Sequence, residues 1–244
     1  MKLAGAAALV TGAGRRLGQA IAVGLARAGC DIAVHFHGSA DGAAATARDI
    51  HAVSKERRAE LVRADLSDAE AARGLADQAA RALGRLDIVV NSAAIMVRQT
   101  VETVTPESWD ATMDLNVRAA FFVSQGALPH LRRAKGKIIN LADVAGFEPW
   151  PAYIPHCVSK AGMVMLTKAL ARAVAPDVTV NAVAPGPVLL PDEWNAATRE
   201  HIRETTPLQR LGAPSDIVSA VRFLLESDFV TGTILVVDGG RLIR

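Results

Sequence analysis

Aromatic residues make up only 4% of this chain, cysteine occurs twice, and no long run of like charge interrupts it. Each scarcity narrows the possibilities. Two cysteines, Cys30 and Cys157, cannot build a disulfide framework, so reduced thiols in a cytoplasmic protein are expected. The formal charge is +2 with both signs mixed throughout, which leaves no basic stripe for nucleic acid. A membrane partner is not expected either, because no apolar run is long enough to span a bilayer. Met1 to Val10 could open a targeting segment, but Arg15 and Arg16 cut it short, and the same residues make a good first strand.

Small aliphatic residues are what the chain has in plenty. Half of its 244 residues are hydrophobic, with Ala, Val and Leu foremost, a composition suited to helices packed on a parallel sheet. Length alone allows one large domain or two small ones. Short apolar runs at Ala6–Thr11, Asp31–His35, Ala59–Ala64, Leu86–Asn91, Lys137–Leu141, Val178–Val183 and Thr233–Val237 read as strands. Between them, 17–29, 40–54, 68–83, 107–133, 152–175 and 214–227 carry apolar residues at helical spacing. No linker or repeat breaks this alternation. The expectation is a single doubly wound Rossmann-type α/β domain, its seven-stranded, mostly parallel sheet flanked by helices.

One stretch, about 185–207, has four prolines and no clear period. It follows the sixth strand, at the end of the sheet where ligands bind in open α/β folds. A substrate lid over about 187–207 is expected, a variable surface insertion being the alternative.

The first strand runs into Thr11-Gly12-Ala13-Gly14-Arg15-Arg16-Leu17-Gly18, and a helix starts at once. Glycine there lets the backbone approach a pyrophosphate, and the helix N-terminus offers free N–H groups. Leu17 stands where a plain G-x-G-x-x-G has its last glycine. The second strand ends His35-Phe36-His37-Gly38-Ser39, with no acid before Asp41 to accept a ribose 2′-hydroxyl. Arg15 and Arg16 can meet a 2′-phosphate, with a bond from Ser39. NADP(H) is the expected cofactor. The His35/His37 pair lacks the carboxylate or cysteine company of a metal site, and no metal is expected.

These features resemble the short-chain dehydrogenase/reductase family over essentially the whole chain. Its T-G-x-x-x-G-x-G motif is met at Thr11, Gly12 and Gly18, with Arg16 at the middle glycine. Asp65-Leu66 stands where the family holds the adenine, and Asn91-Ser92-Ala93-Ala94 replaces its N-N-A-G. Asn116 lies in the fourth helix, and Pro185-Gly186 follows the sixth strand. The resemblance implies cofactor contacts at Thr11, Gly12, Gly14, Arg15, Arg16, Leu17, Gly18, His37, Ser39, Asp65, Leu66, Asn91, Ala93, Lys160, Pro185, Gly186 and Val188. It also implies a small-molecule substrate and a homotetramer.

Reduction of a carbonyl or imine needs a proton donor beside the atom that gains charge. The family uses a Tyr, a Lys four residues later, and a Ser beyond the fifth strand. Here Lys160 fits, the Tyr position holds His156, and the Ser position holds Asp143. Within the family, pteridine and dihydromonapterin reductases are similar in carrying Asp at the Ser position and Arg at the middle glycine, which makes a pterin a possible substrate. His156 departs from them, as does Met96, near their pterin-stacking aromatic. Expected catalytic residues are therefore Asp143, His156, Lys160 and Asn116, with Met96, Tyr153 and Trp194 toward substrate. Tyr153, His156 and Lys160 share one helical face. Imidazole titrates near neutrality and can donate a proton; the alternatives are Tyr153 as donor, and a protein that binds NADP(H) without catalysis.

Overall fold

The computed structural model describes residues 1–190 and 194–243. Seven strands form one sheet: β1 (Ala7–Val10), β2 (Asp31–Phe36), β3 (Ala59–Arg63), β4 (Ile88–Asn91), β5 (Lys137–Leu141), β6 (Thr179–Pro185) and β7 (Ile234–Val237). Their order is β3-β2-β1-β4-β5-β6-β7. Every pairing is parallel, so the sheet is wholly rather than mostly parallel. Strand order reverses between β1 and β4, the place where such sheets open a crevice at their C-terminal ends.

Helices cover both faces: α1 (Arg16–Arg27), α2 (Ala40–Val53), α3 (Ala69–Leu83), α4 (Pro106–Met113), α5 (Ala119–Ala134), α6 (Ile154–Val174), α7 (Ala196–Thr205) and α8 (Pro214–Glu226). Alanine lets them approach the sheet and each other closely. Ala72, Ala76 and Ala79 of α3 share one buried cluster with Ala119, Val123 and Ala127 of α5. The opposite face buries Ile21 and Leu25 of α1 with Ile217, Val221 and Leu224 of α8. Local signals set the ends. Asp68 caps α3 by accepting from the Glu70 and Ala71 N–H groups, and Gly84 ends it at φ 79°, a left-handed turn that glycine adopts without penalty.

Two expectations change. The helix expected over 107–133 is a continuous helical path broken by a π-helical turn, Asp114–Arg118, in which Ala119 N–H donates five residues back to Asp114 O. One extra residue in the turn shifts the helical phase, so a plain period across the whole stretch could not reveal it. The irregular 185–207 stretch contains α7, which buries only Ile202. So polar a helix leaves little apolar period to read.

Candidate active site

The Gly-rich turn sits at the reversal of strand order and is tied across it. Thr11 Oγ1 accepts from the backbone N–H groups of Ser92 (2.9 Å) and Ala93 (3.0 Å), joining the ends of β1 and β4. Gly12 has φ +64°, and a Cβ there would stand 2.9 Å from the Ala93 Cα. A side chain at Gly12 is therefore strained twice over. At Gly18 a Cβ would come within 2.4 Å of Gly12 O, so both glycines are fixed by the protein's own backbone. Gly14 lies against Ser39, which starts α2 without a side-chain cap bond. Arg15 starts α1, again with no side-chain cap and no acid in the first turn.

Arg16 holds φ 53°, a left-handed backbone that glycine adopts without penalty. Its guanidinium donates to the carbonyl of Leu189, at the root of the 187–207 segment. His37 and Asp65 face one another at 3.8 Å, both well exposed. Leu17 is half-buried against the core. Leu66, Val188 and Asn91 are buried. Leu66 and Val188 pack in the core, while the Asn91 amide donates to Asn140 Oδ1 (2.8 Å) and Ser124 Oγ (3.1 Å). What these three offer a ligand is backbone. Pro185 closes β6 against Val237, and Gly186 follows it, donating to Val237 O at 2.9 Å.

His35 has a role the sequence did not reveal. Buried beneath the turn, its Nδ1 accepts from the Gly12 N–H at 3.1 Å, and its Nε2 donates to Ala64 O at 3.2 Å. Burial pushes its pKa down to about 4, so the neutral ring acts as a strut between the Gly-rich turn and the end of β3. The H-x-H pattern was the only signal, and its partners lie 23 and 29 residues away.

On the other side of the crevice, Asn116 lies in the π-turn and grips Ile95 with both ends of its amide. Oδ1 accepts from Ile95 N–H (2.8 Å) and Nδ2 donates to Ile95 O (2.9 Å) and Ser159 Oγ (3.0 Å). The same Ile95 carbonyl faces His156 Nδ1 at 3.3 Å. A carbonyl only accepts, so Nδ1 carries a hydrogen. His156 Nε2 is buried without a hydrogen-bond partner among the described residues and stands 3.8 Å from Asp143 Oδ2. Trp150 stacks over the ring, centroids 6.4 Å apart and planes inclined by 16°. Asp143 keeps about a quarter of its side chain exposed and accepts from Ala145 N–H at 2.9 Å. Lys160 is buried, donating to Leu141 O at 2.7 Å. Burial pushes its pKa down and the Asp143 carboxylate pushes it back up.

Beside this cluster opens a cavity of about 510 Å³. Met96, Tyr153 and Trp194, the three residues expected toward substrate, all line it, together with Val144, Trp150 and Leu190. Pro187, Thr198 and Ile202 complete the wall from the expected lid segment, while Pro191, within that segment, lies outside the described residues. His156 is not on the cavity wall, whereas Tyr153, the chain's single tyrosine, is.

Crevice and cavity together define a class, an oxidoreductase built on a dinucleotide-binding sheet. Known proteins make it specific. The family described as enoyl-(acyl carrier protein) reductase matches residues 12–241. A protein named as a ketoacyl reductase of the granaticin polyketide synthase, from Streptomyces violaceoruber, is 38% identical over 241 residues, covering 96% of this chain and 94% of its own. The 3-oxoacyl-(acyl-carrier-protein) reductase FabG of Staphylococcus aureus is 35% identical over 96% of each chain. A solved short-chain dehydrogenase/reductase from Serratia marcescens superposes with a TM-score of 0.90 at 31% identity, covering 99% of this chain and 100% of that one. The chain belongs to the short-chain dehydrogenase/reductase family. Among the described residues, no helix is long and apolar enough to cross a membrane.

Proposed function

We propose that the protein is an NADP(H)-dependent reductase of a small, largely apolar carbonyl or imine compound, and that the Asp143–His156 pair supplies the proton. The observation that carries this reading is the bare, buried Nε2 of His156, 3.8 Å from Asp143. A neutral ring with its hydrogen on Nδ1 would turn a lone pair toward a carboxylate. A proton between them would join carboxyl and ring as donor and acceptor.

The crevice suits the cofactor. Its glycines are fixed by backbone packing, two helix starts lack side-chain caps, and Arg15, Arg16, His37 and Ser39 are the residues that would meet a 2′-phosphate. Thr11, Ala93, Gly186 and Lys160 would hold the remainder. Bound there, the cofactor supplies the hydride that reduces the substrate carbon. Asp143, the exposed member of the pair, passes the proton to the substrate oxygen or nitrogen. Solvent at the exposed edge of Asp143 restores the proton, and His156 Nε2 accepts a hydrogen bond from the carboxyl. Asn116 keeps Ile95 O in place and so fixes which ring nitrogen faces Asp143. The 187–207 segment acts as the lid, contributing Trp194 and Ile202 to the cavity wall.

Aromatic and aliphatic walls suit a flat substrate. The ketoacyl and oxoacyl reductases among the relatives favour a carbonyl, while Asp143 and Arg16 favour a pteridine-reductase-like substrate. A homotetramer is also proposed, supported by exposed Phe121 of α5 with Val158 and Met165 of α6. A second donor is favoured by one observation: Tyr153, not His156, lines the cavity.

NADPH oxidation with aryl ketones and dihydrobiopterin, using native protein, His156→Phe and Tyr153→Phe, separates these readings. The proposal expects turnover that His156→Phe abolishes and Tyr153→Phe largely keeps. The reverse pattern assigns the proton to Tyr153. Binding of NADPH with no oxidation across the panel would sink the enzymatic reading.

A further inference from the structure

The contact that orients the His156 ring is the longest in its network. Nδ1 meets Ile95 O at 3.3 Å, whereas Asn116 holds the same residue at 2.8 and 2.9 Å. A neutral ring also has a competing choice. With its one hydrogen on Nε2 it could turn toward the Asp143 carboxylate, 3.8 Å away, and a charge-assisted bond is stronger than one to a neutral carbonyl. A long contact alone is a poor hold against that choice. Ile95 O has to be kept within reach of Nδ1 by something other than the ring.

Ser159 supplies that hold. It is wholly buried on α6, three residues after His156. Its hydroxyl donates to the His156 carbonyl at 2.7 Å, which commits its only hydrogen. Such a bond back along the helix is ordinary for a buried serine. The second bond sets this one apart. With its hydrogen spent, Ser159 Oγ can offer only a lone pair, and Asn116 Nδ2 donates to it at 3.0 Å. Both hydrogens of Nδ2 are thereby used, one on Ser159 and one on Ile95 O, while Oδ1 receives Ile95 N–H. The Asn116–Ile95 unit is thus tied to the helix that carries His156, independently of the ring.

We propose that Ser159 is a positioning residue: through Asn116 it holds Ile95 O against His156 and locks the neutral ring with its hydrogen on Nδ1. Nε2 then stays free to accept from the Asp143 carboxyl. The proposal rests on the reading of Asp143 and His156 as the proton-donating pair. Without Ser159 the ring hydrogen moves to Nε2 and is donated to Asp143, and the satisfied pair has no proton for the substrate.

Nitrogen-15 NMR of protein labelled at histidine, with His156→Phe to assign the signals, reads which nitrogen of the neutral His156 ring carries the hydrogen. Native protein is expected to show it on Nδ1. In Ser159→Ala, which removes one buried oxygen and keeps the helix, the hydrogen is expected to shift to Nε2. There kcat for NADPH oxidation should fall about tenfold to a hundredfold, part of what a positioned acid contributes, with KM little changed. Ser159→Thr keeps the hydroxyl and should keep the hydrogen on Nδ1. Asn116→Leu should shift it as Ser159→Ala does, and combining the two should add nothing, because they act as one unit. A native neutral ring with its hydrogen on Nε2, or an Nδ1 hydrogen that survives Ser159→Ala, overturns the assignment. The tautomer is read without turnover, whereas the His156→Phe assay reads the donor role alone, so either idea can fail without the other.

Discussion

Two buried histidines stand on either side of the crevice, His35 at 2% and His156 at 4% exposure, and they are used in opposite ways. His35 has a partner on each ring nitrogen. It is a finished piece of scaffold, and burial keeps it neutral. His156 has a contact on Nδ1 alone, and its Nε2 has no hydrogen-bond partner. Buried polar atoms are normally paired, and a spare one calls for an explanation. Burial alone does not distinguish a structural histidine from the reactive one proposed at position 156. The proposal relies on the count of satisfied nitrogens.

The sharpest way to break this contrast is to remove each ring. His156→Phe keeps a flat ring under Trp150 and deletes the proton, so kcat should fall by roughly 10²–10⁴-fold, the usual contribution of a positioned acid. Asp143→Asn should fall comparably. The midpoint of urea unfolding should move little for His156→Phe, because Nε2 has no partner to strand and Ile95 O, which loses Nδ1, keeps the Asn116 amide. A variant that kept its kcat while losing much stability would make His156 a strut like His35.

His35→Leu should behave in the opposite way. It strands the Gly12 N–H and the Ala64 carbonyl, two buried groups costing about 1–3 kcal/mol each. Urea titration should show a loss of about 2–5 kcal/mol on that basis, and NADPH affinity should weaken because the turn loses its strut. In any protein that survives, kcat at saturating NADPH should change far less than in His156→Phe.

A pH series gives the next smaller effect. His35 has its folded pKa lowered from 6.5 to about 4, so between those values the unfolded chain binds more protons. Its stabilising contribution is complete above pH 6.5 and is lost as pH falls toward 4, about 3 kcal/mol over that window. His35→Gln has no ring to protonate and should flatten that part of the curve. Parallel curves for native and His35→Gln protein would show that the acid sensitivity arises elsewhere.

The same contrast explains what could be read in advance. Alternating strands and helices were legible because each buries a regular stripe of Ala, Val, Ile or Leu. Asp143 and Lys160 were assigned from the family resemblance, and the Gly-rich turn from its place between a strand and a helix. The π-turn at Asp114–Arg118 was hidden by its phase shift, and with it the two-ended grip of Asn116 on Ile95. Helix α7 was hidden because Ile202 is the only residue it buries, although Asn195, which caps it by accepting from Thr198 N–H, was a readable start signal. His35 was beyond local pattern altogether, defined by partners just past the ends of β1 and β3.

Arg16 provides the finest test, because two small effects oppose one another there. A non-glycine residue at φ 53° carries a left-handed strain of about 1–2 kcal/mol, which Arg16→Gly removes. The same change deletes the bond to Leu189 O, an exposed contact of about 1 kcal/mol, and adds glycine's unfolded-state entropy of about 0.5–1 kcal/mol. These nearly cancel, so the unfolding midpoint should scarcely move. The cofactor should register the loss instead. NADPH affinity should fall several-fold while NADH affinity changes little, since only the former brings the 2′-phosphate that Arg16 would meet. Fluorescence titration with both nucleotides, beside a urea curve, measures the two terms separately. A stability loss of about 2 kcal/mol or more, well beyond the single exposed bond, with an unchanged NADPH-to-NADH ratio would move Arg16 to the side of His35, as a tie between the turn and the 187–207 segment rather than a cofactor ligand.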